Sequence, residues 1–502
     1  MIRSAIPAPL ARSLCAAVLL ALAACGGADD GGPGSGAEIA QVVVTPNPAT
    51  VEVGATVTLS AQARDAEGDP IPGVELTWST SAEATATVDE NGVVSGVAAG
   101  TATITATAGE VSGSATVEVT APTEPPVSGR LVAVGGDFSC ALDPATDAAA
   151  GRLACWGKNQ YGQFGNGGTA AASLPVEVAG APSFASIATG QWYGCGLTAD
   201  GTAYCAGFGG SGNLGTGDAT NTTVFTPVST GAKFTRLATA WEHTCGVTTA
   251  GQVLCWGASN LVGDGTSQWR LTPTPIDAPT GVAFTQVAAT GGAGNTCALA
   301  TTGEAWCWGS NSIGQTGTGP DNSQTAIKLS PVQVRGGHTF TTIATAENTT
   351  CGITTAGETW CWGGSGPTVG IGPTMPHTCT LPQAPGHPEP CVYEPVKVPT
   401  TQTFVAIEAG YDHFCALNPQ GEAFCWGLNL WGQLGTGDKN VRDTPTAVQG
   451  GLTFARISAG HAGTCGIATD GKLYCWGSNA DHKLGLDAGV TEALTPTEVP
   501  LP

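Results

Sequence analysis

The stretch Cys-Trp-Gly-Leu-Asn-Leu-Trp-Gly-Gln-Leu-Gly-Thr-Gly, residues 425–437, decides the fold of this chain. Related copies recur about every 50 residues. Six copies start with Cys-Trp-Gly and one with Cys-Ala-Gly, at Cys155, Cys205, Cys255, Cys307, Cys361, Cys425 and Cys475. Each copy follows a partner cysteine, at Cys140, Cys195, Cys245, Cys297, Cys351, Cys415 and Cys465. Seven copies of one unit predict a repeat architecture.

The composition is typical of a β-rich chain with many turns. Only 11% of the 502 residues are charged, while glycine (74) and proline (33) are abundant. Because small and β-prone residues dominate over long helix formers, we expect an all-β fold. The net charge of -22 and the absence of a run of Lys and Arg argue against a nucleic-acid partner, since phosphate binding needs clustered positive charge.

The segment between two paired cysteines has the pattern of a β-hairpin. In the second copy, residues 199–201 read Ala-Asp-Gly and separate two β-prone runs. A three-residue hairpin loop commonly ends in a glycine with positive φ. If Leu197 pairs with Ala203, then Cys195 faces Cys205 directly across the hairpin and lies within disulfide reach.

We therefore expect seven disulfides, one in each unit, and an oxidising compartment. Zinc is the alternative, but two thiolates on one hairpin supply only two of the four ligands that a structural zinc ion needs. Each bridge would contribute at most about 3 kcal/mol, because the ends of a short hairpin are already close in the unfolded chain. Only the turn between Cys140 and Cys155 is longer.

Several units continue with a glycine-rich segment and a further β-prone run. Gly-x-x-Gly-x-Gly strings such as residues 432–437 are reminiscent of a phosphate loop, but they recur in register with the units and lack the Lys-Ser/Thr ending. Turns between packed sheets explain the periodic glycine better. A run that begins with proline, as at residues 175–178 and 331–334, adds a fourth strand. Four strands in each of seven units predict a seven-bladed β-propeller.

These motifs resemble the regulator of chromosome condensation repeat, whose hallmark is Trp-Gly-x-Asn-x-x-Gly-Gln-Leu-Gly-x-Gly. Residues 426–437 match this pattern throughout, and residues 156–167 match it nearly as well. The resemblance covers residues 130–502 and implies a seven-bladed propeller of that type. It implies no function by itself, because one fold serves many unrelated tasks.

The N-terminus resembles the signal peptide of a bacterial lipoprotein. Residues 1–24 carry Arg3 and Arg12 and an apolar run that is too short to span a bilayer. The sequence Leu-Ala-Ala-Cys that ends at Cys25 resembles a lipobox, which implies that Cys25 becomes the lipid-modified first residue. Ordinary cleavage nearby, which leaves a free cysteine, is the alternative. Residues 25–37 read as a flexible tether.

Residues 38–120 contain no cysteine and have a different pattern. Short β-prone runs alternate with turn signals such as Asn91-Gly92, which predicts a small Ig-like β-sandwich. The strand at residues 76–79 and the segment at residues 88–96 resemble the bacterial Ig-like domain of group 2. The resemblance implies a spacer or adhesive stalk, in which Trp78 packs in a core without a disulfide. Residues 121–129 contain three prolines and predict a semi-rigid linker.

Members of the regulator of chromosome condensation family perform different tasks. One is a nuclear guanine-nucleotide exchange factor, but no position here matches an exchange site. The plant UV-B photoreceptor uses Gly-Trp-Arg-His-Thr, whereas residues 240–244 read Ala-Trp-Glu-His-Thr. A secreted bacterial β-lactamase inhibitor with a similar propeller binds an enzyme through one face, so protein binding is the closest precedent.

Four tryptophans outside Cys-Trp-Gly are candidate binding residues. The six tryptophans within that motif are expected to pack between blades. The four candidates lie in less regular segments and either pack in the core or lie exposed for a ligand; they are Trp192, Trp241, Trp269 and Trp431.

Three histidines precede the first cysteine of a unit. His243 and His413 lie two residues before it and His461 lies four before it. This near-periodicity favours a structural role. No Ser/His/Asp set for catalysis emerges from the sequence.

The fifth unit carries a proline-rich insertion, residues 364–394. It contains His377, Cys379, His387 and Cys391, which could form a metal site, although their order is not a familiar zinc spacing. A Cys379–Cys391 disulfide is the favoured interpretation. Because long loops on a rigid scaffold often bind partners, His377 and His387 are further candidate binding residues.

Together these features predict an exported cell-envelope lipoprotein, held in the outer membrane or at the cell surface, that acts as a binding or adhesion module. The propeller face would bind a protein or surface glycan, and the Ig-like domain would be the spacer. We expect a monomer with no enzymatic activity and no cofactor, in contact with the membrane only through its lipid anchor. The alternative is a regulator of a specific enzyme, either an envelope enzyme inhibitor or, less favoured, an exchange factor. A propeller enzyme is disfavoured because no convergent acid/base set is visible.

Overall fold

The computed structural model describes residues 38–52, 56–97, 100–120, 130–143, 151–258, 261–289, 294–319, 327–364, 366–374, 376–380 and 388–502. Within these ranges the chain forms β-strands and short 3₁₀ turns but no α-helix, which agrees with the all-β prediction. No helix in this part of the chain is long and apolar enough to cross a membrane.

Residues 41–120 form three β-sheets around one core. Their strands are β1 Gln41–Thr45, β2 Ala49–Glu52, β3 Thr56–Thr58, β4 Ser60–Arg64, β5 Thr77–Thr80, β6 Ala86–Val88, β7 Val93–Gly96, β8 Gly100–Ala108 and β9 Val111–Thr120. The sheets have the orders β1-β4, β2-β9-β8-β5 and β3-β7-β6. Alternate residues of β8 and β9, such as Ile104 and Val117, are fully buried in the shared core. Trp78 packs against this core while half-buried, as expected without a disulfide.

Residues 131–499 form seven four-stranded antiparallel sheets, which we number 1 to 7 in chain order. Sheet 1 consists of β10 Leu131–Val134, β11 Phe138–Asp143, β12 Arg152–Gly157 and β13 Ala172–Glu177. Sheet 2 consists of β14 Phe184–Thr189, β15 Tyr193–Thr198, β16 Ala203–Gly207 and β17 Thr222–Pro227. Sheet 3 consists of β18 Phe234–Thr239, β19 His243–Thr248, β20 Val253–Gly257 and β21 Arg270–Pro275. Sheet 4 consists of β22 Phe284–Ala289, β23 Asn295–Ala300, β24 Ala305–Ser310 and β25 Ile327–Gln333.

The remaining three sheets follow the same plan. Sheet 5 consists of β26 Phe340–Thr345, β27 Thr349–Thr354, β28 Thr359–Gly363 and β31 Val396–Lys397, with the extra hairpin β29 His377–Thr380 and β30 Pro388–Cys391 before its last strand. Sheet 6 consists of β32 Ala406–Ala409, β33 His413–Leu417, β34 Ala423–Gly427 and β35 Arg442–Ala447. Sheet 7 consists of β36 Phe454–Ala459, β37 Gly463–Ala468, β38 Leu473–Ser478 and β39 Glu492–Val499. Each repeat thus has the four strands that its sequence predicts.

The hairpin between the second and third strands has the predicted register. In sheet 2, Cys195 pairs with Cys205 and Leu197 pairs with Ala203, and Gly201 has a φ of 80°. The seven cysteine pairs of the repeats are disulfides, and their Cα atoms are 4.1 Å apart in each case. The register of the hairpin therefore places the two cysteines directly opposite each other, within reach of a disulfide.

The tryptophan of each Cys-Trp-Gly motif packs between two neighbouring sheets, as predicted. All six are fully buried: Trp156, Trp256, Trp308, Trp362, Trp426 and Trp476. In the contact between sheets 2 and 3, the Trp256 Nε1–H donates to the carbonyl oxygen of Asn213 (2.9 Å). A Cβ on Gly215 would lie only 2.7 Å from the same Nε1, so this loop position requires glycine. The periodic glycines are therefore parts of the contacts between sheets.

Sheet 2 lacks this tryptophan and uses another aromatic residue. Ala206 occupies the tryptophan position, and the Phe225 ring from the fourth strand lies against the loop glycine Gly165 instead. Phe225 also packs edge-on against Phe184, with ring centroids 4.9 Å apart. The same space between two sheets is thus filled from a different strand.

The first strand of each sheet contacts the first strands of its neighbours, and β10 also contacts β36. At this last contact the Trp156 Nε1–H donates to the carbonyl oxygen of Lys483 (2.9 Å). The backbone N–H of Val134 donates to Ser458 Oγ (3.1 Å). Sheets 1 and 7 therefore meet through the same kind of contact as sheets that are adjacent in sequence.

The insertion in sheet 5 has two parts. The 3₁₀ turn Pro367–Val369 ends at Gly370, against which the indole of Trp426 packs, so this part forms the ordinary contact with the next sheet. Among the described residues of the insertion, the hairpin of β29 and β30 is the additional part. At its base Cys391 is buried and disulfide-bonded. The disulfide at Cys391 disfavours a metal site there. The side chain of Cys379 and the whole of His387 lie outside the described residues, so the pairing of Cys379 with Cys391 stays a prediction.

Candidate functional site

The loops that connect the strands lie at two opposite ends of each sheet. Because neighbouring strands are antiparallel, the loop from the first to the second strand and the loop from the third to the fourth leave the sheet at the same end. We call this end of the seven sheets the loop face. The opposite end carries the tight hairpins, such as residues 199–202, and we call it the hairpin face.

A cavity of about 90 Å³ lies at the centre of the loop face, and residues of all seven sheets line it. The loops around it approach through their backbones. Tyr411 N–H donates to the carbonyl oxygen of Gly460 (3.2 Å), and a Cβ on Gly460 would lie 2.5 Å from the carbonyl oxygen of Gly135. Glycines such as Gly135 and Gly460 therefore allow the loop backbones to approach each other closely around the cavity.

Three aromatic rings meet at this cavity. The ring of Trp241 stacks on that of Tyr411 with centroids 5.2 Å apart and planes 9° apart. The His461 ring lies 4.8 Å from the Tyr411 ring. Trp241 comes from sheet 3 and Tyr411 from sheet 6, so the stack joins loops that are far apart in sequence.

The Tyr411 side of the cavity carries two carboxylates. Glu347 N–H donates to the carbonyl oxygen of Tyr411 (3.0 Å), which fixes Glu347 beside it. Burial and the Glu347 carboxylate raise the pKa of Asp412 to about 6. Burial and Glu347 also raise the pKa of Tyr411 above its ordinary value. This side of the rim therefore has an excess of negative charge.

The side of the cavity at sheets 1 and 7 carries a balanced group of charges. Lys483 is buried, and its Nζ donates to the carbonyl oxygen of Gly136 (3.3 Å). Burial lowers the pKa of Lys483 to about 8, although the nearby carboxylates of Asp137 and Asp481 act to raise it. Lys158 Nζ lies 3.3 Å from Asp137 and 3.0 Å from Asp481. Each carboxylate here has a nearby cation, unlike those beside Tyr411.

Trp192 belongs to a second aromatic group on the loop face. Its Nε1–H donates to Asp137 Oδ2 (3.0 Å), and its ring lies 6.0 Å from Tyr161 and 5.6 Å from Phe208. All three rings are half-buried. The indole is thus held in a fixed orientation with part of its surface in solvent.

The other predicted binding residues have different surroundings. Trp431 and Trp269 are exposed, at 50% and 54% of their surface, in third-to-fourth loops of the loop face. The His377 ring stacks on Tyr393 with centroids 3.9 Å apart, so it helps to fix the hairpin of β29 and β30. Cys25, the predicted lipidation site, lies outside the described residues, as His387 does.

His243 and His413 have the structural role that their spacing predicts. Each is fully buried, and its Nε2 is hydrogen-bonded at 2.8 Å to a threonine of the next sheet, Thr296 or Thr464. Burial lowers the pKa of His243 to about 4; burial, helped by the charges of His461 and Lys483, lowers that of His413 to about 3. His461 differs, because it is exposed at the cavity.

One position of the repeat predicts which residues surround the cavity, although it belongs to none of the motifs. The residue four positions before the first cysteine of a unit lies at the cavity or beside it: Gln191, Trp241, Tyr411 and His461 line the cavity, and Glu347 lies beside Tyr411. Of these, only Trp241 is among the predicted binding residues. Within the described part of the chain, no three His, Cys, Asp or Glu side chains lie close enough together to hold a metal ion.

Family models match both parts of the chain. The bacterial Ig-like domain (group 2) matches residues 38–119. The regulator of chromosome condensation (RCC1) repeat matches residues 150–197 and 420–467, and a second model of this repeat matches residues 284–315, 404–433 and 454–482. The predicted order of an Ig-like domain followed by these repeats is confirmed.

Several solved structures are similar to this chain at low sequence identity. Prp20p from Saccharomyces cerevisiae is 19% identical over 72% of this chain and 86% of its own, with a TM-score of 0.60. Human WBSCR16 is 19% identical over 66% and 84%, with a TM-score of 0.57. A chain in the structure of Kap60 bound to yeast RCC1 (Prp20) is 18% identical over 72% and 83%, with a TM-score of 0.60. The chain therefore carries a bacterial Ig-like domain of group 2 followed by RCC1 repeats, which fold like the RCC1-type propellers.

Proposed function

We propose that this chain is a non-enzymatic binding protein of the bacterial cell envelope and that it binds a protein partner through its loop face. The observation that carries this proposal is the collection of aromatic and charged side chains around the central cavity at one end of the sheets. Aromatic residues dominate the energetics of protein interfaces. The similar yeast protein, Prp20, is bound to Kap60 in one solved structure. A second structure of Prp20p was described together with its binding to Gsp1p and histones.

The proposal includes a closed, seven-bladed propeller. The contacts between sheets 1 and 7, such as that of Trp156 with Lys483, support closure, because they repeat the contacts between the other sheets. It also includes an Ig-like β-sandwich in residues 38–120, supported by the core that its three sheets share. A closed propeller would keep the loops of the loop face in fixed relative positions, as a binding surface requires.

The cellular context belongs to the proposal as well. Lipid attachment at Cys25 would anchor the chain, and residues 25–37 and the Ig-like domain would hold the propeller away from the membrane. The seven disulfides support an exported location, because such bonds persist in oxidising compartments. Labelling cells with radioactive palmitate would test the anchor: wild type should incorporate label and Cys25→Ser should not.

Site-specific photo-crosslinking tests the loop face as the binding surface. A photo-reactive residue replaces Trp431 on the loop face or, as the control, Asp200 on the hairpin face. The full chain is then incubated with envelope proteins and purified surface glycans. Crosslinks from position 431 and not from position 200 are expected. Crosslinks from position 200 alone would contradict the proposal.

The same experiment addresses two other functions. Regulation of an enzyme is favoured if the crosslinked partner is one enzyme in a 1:1 complex that loses activity. Adhesion is favoured if surface glycans are captured. The exposed Trp431 and Trp269 fit either outcome, since exposed indoles stack on sugars as well as on protein groups.

The hairpin of β29 and β30 is the other candidate contact on this face. Removal of all residues 365–393 would not be a clean test, because Val369 and Val392 are fully buried in the core. Replacement of residues 380–388 by a two-residue turn keeps both. If the hairpin contacts the partner, this variant should stay folded and bind more weakly; unchanged binding would exclude the hairpin.

A further inference from the structure

Two polar oxygen atoms at the central cavity have no hydrogen-bond partner. Thr345, only 6% exposed, lines the cavity, and its Oγ1 is buried without a partner. Gln191 also lines the cavity, and its Oε1 is buried without a partner. Because buried polar groups in folded proteins are nearly always hydrogen-bonded, these two oxygens are unused acceptors in the wall of the cavity.

The carboxylates beside the cavity also lack a cation. Glu347 and Asp412 flank Tyr411, and neither forms an ion pair with any Lys, Arg or His in the described part of the chain. Lys483 is near the cavity at sheets 7 and 1, where burial and its charge lower the pKa of His461 and His413. Lys483 is itself matched by Asp137 and Asp481, and it forms no ion pair with Glu347 or Asp412. A positively charged ligand would balance the charge beside Tyr411.

The aromatic rings favour a flat cation. The stack of Trp241 on Tyr411 is offset, since the centroids are 5.2 Å apart while the planes are nearly parallel, so part of each ring face remains uncovered. Both rings are half-buried, so they reach solvent at the rim. The face of a tryptophan or tyrosine attracts cations, and the planar guanidinium of arginine is the side chain that most often stacks there.

We propose that the central cavity and its rim bind the guanidinium group of an arginine side chain on the protein partner. Trp241 and Tyr411 would stack on the group, Glu347 and Asp412 would balance its charge, and Thr345 would accept one of its hydrogen bonds. At about 90 Å³ the cavity is far smaller than the roughly 300–1,000 Å³ of sites for whole small-molecule ligands, so a single head group fits better than a nucleotide or an oligosaccharide. This proposal rests on the loop face being the binding surface.

The test uses small probes and therefore needs no knowledge of the partner. The full chain is titrated with N-acetyl-arginine methylamide, with its neutral citrulline analogue and with its lysine analogue, and binding is followed by saturation-transfer NMR. The arginine probe should bind at least about tenfold more tightly than the citrulline probe, because only it carries a charge. Equal binding of arginine and citrulline overturns the proposal, and equal binding of lysine overturns the choice of guanidinium.

Variants locate the site. Glu347→Gln combined with Asp412→Asn, and separately Trp241→Leu, should each weaken binding of the arginine probe at least about fivefold. Asp470→Asn on the hairpin face removes one negative charge, half of what the double variant removes, and should leave binding unchanged, which separates a local effect from the overall charge of the chain. If Asp470→Asn weakens binding as much as the rim variants, the proposal is wrong. Thermal unfolding of each variant checks that it is folded.

The probe titration and the crosslinking experiment can fail independently. If the loop face crosslinks to a partner but the arginine probe does not bind, the assignment of the cavity is wrong and the binding surface stands. If the probe binds and no partner crosslinks to the loop face, the cavity is a cation site without the proposed function.

Discussion

The side chains just before the first cysteine of each repeat have different roles at positions only two residues apart. Two residues before the cysteine, His243 and His413 lie at the start of the second strand and are buried between sheets. Four residues before it, Trp241 and Tyr411 lie in the loop at the cavity. The strand position is fixed by the neighbouring sheet, whereas the loop position tolerates different side chains, so variation there changes the loop face and not the fold.

The two buried histidines predict a loss of stability in mild acid. Their pKa values in the folded chain, about 4 for His243 and about 3 for His413, lie below the value of about 6.5 in an unfolded chain. Above pH 6.5 both states are neutral and stability is complete. As the pH falls below 6.5 only the unfolded state takes up protons, so each histidine should cost on the order of 2–3 kcal/mol between pH 7 and pH 4.5. Urea unfolding at the two pH values measures the loss.

Asparagine provides the matched control for this prediction. In sheet 4 the equivalent residue is Asn295, whose Nδ2 donates to Thr350 Oγ1 (2.9 Å), as the histidines contact Thr296 and Thr464. The double variant His243→Asn and His413→Asn keeps a hydrogen-bonding group that does not titrate. It should lose much less stability than wild type between pH 7 and pH 4.5. An equal loss would show that carboxylates, and not these histidines, cause the effect.

The loop glycines predict a steric effect that can be separated from backbone strain. Gly435 and Gly451 have φ values of 67° and 66°. A Cβ on Gly435 would lie 2.9 Å from Trp476 Nε1, whereas a Cβ on Gly451 would meet nothing within 4 Å. Gly451→Ala should cost about 1–2 kcal/mol from strain alone, and Gly435→Ala about 1–3 kcal/mol more. Chemical unfolding of both variants gives the difference; equal losses would mean that the loop moves away without cost.

At the scale of elements, the hairpins are what the sequence predicts best. The register of Cys195 with Cys205 follows from the three residues between their strands, because a hairpin is a local structure that its own turn determines. The stack of Trp241 on Tyr411 does not follow, because it depends on how loops of two distant sheets approach each other. The packing of Phe225 in place of the missing tryptophan of sheet 2 could not be predicted from the motif either, because Phe225 comes from the fourth strand and not from the motif.

Removal of one disulfide should be tolerated. Cys195→Ala combined with Cys205→Ala opens a loop of 10 residues, so by chain entropy the loss should be at most about 3 kcal/mol. The strand pairs around it, such as Leu197 with Ala203, remain. Urea unfolding measures the loss, and the chemical shifts of neighbouring amides check that the hairpin keeps its register. A loss well above 5 kcal/mol would mean that the bridge stabilises more than its own hairpin.

At the scale of the whole molecule, one contact recurs from sheet to sheet. A buried indole of one sheet packs against the loop glycine of the preceding sheet, and the contact of Trp156 with Gly485 joins sheet 1 to sheet 7 in the same way. In a linear array of repeats each unit contacts only its neighbours, and the end units unfold most easily. A closed propeller has no end units. The contact between sheets 1 and 7 therefore decides whether the cavity has a rigid wall on all sides.

Two matched tryptophans test this closure. Trp156 lies between sheets 7 and 1 and Trp256 between sheets 2 and 3; both are fully buried, and both indoles donate to a loop carbonyl at 2.9 Å. Replacement of either by alanine should cost about 3–5 kcal/mol if the ring is closed, because both variants weaken one cooperative structure. If the array is open, Trp156→Ala should cost far less, since sheet 1 would already separate from sheet 7. Urea unfolding with the disulfides intact compares the two losses, and hydrogen exchange shows whether sheet 1 opens alone. A difference above about 2 kcal/mol, with rapid exchange confined to sheet 1, would rule out the closed propeller and with it a fixed central cavity.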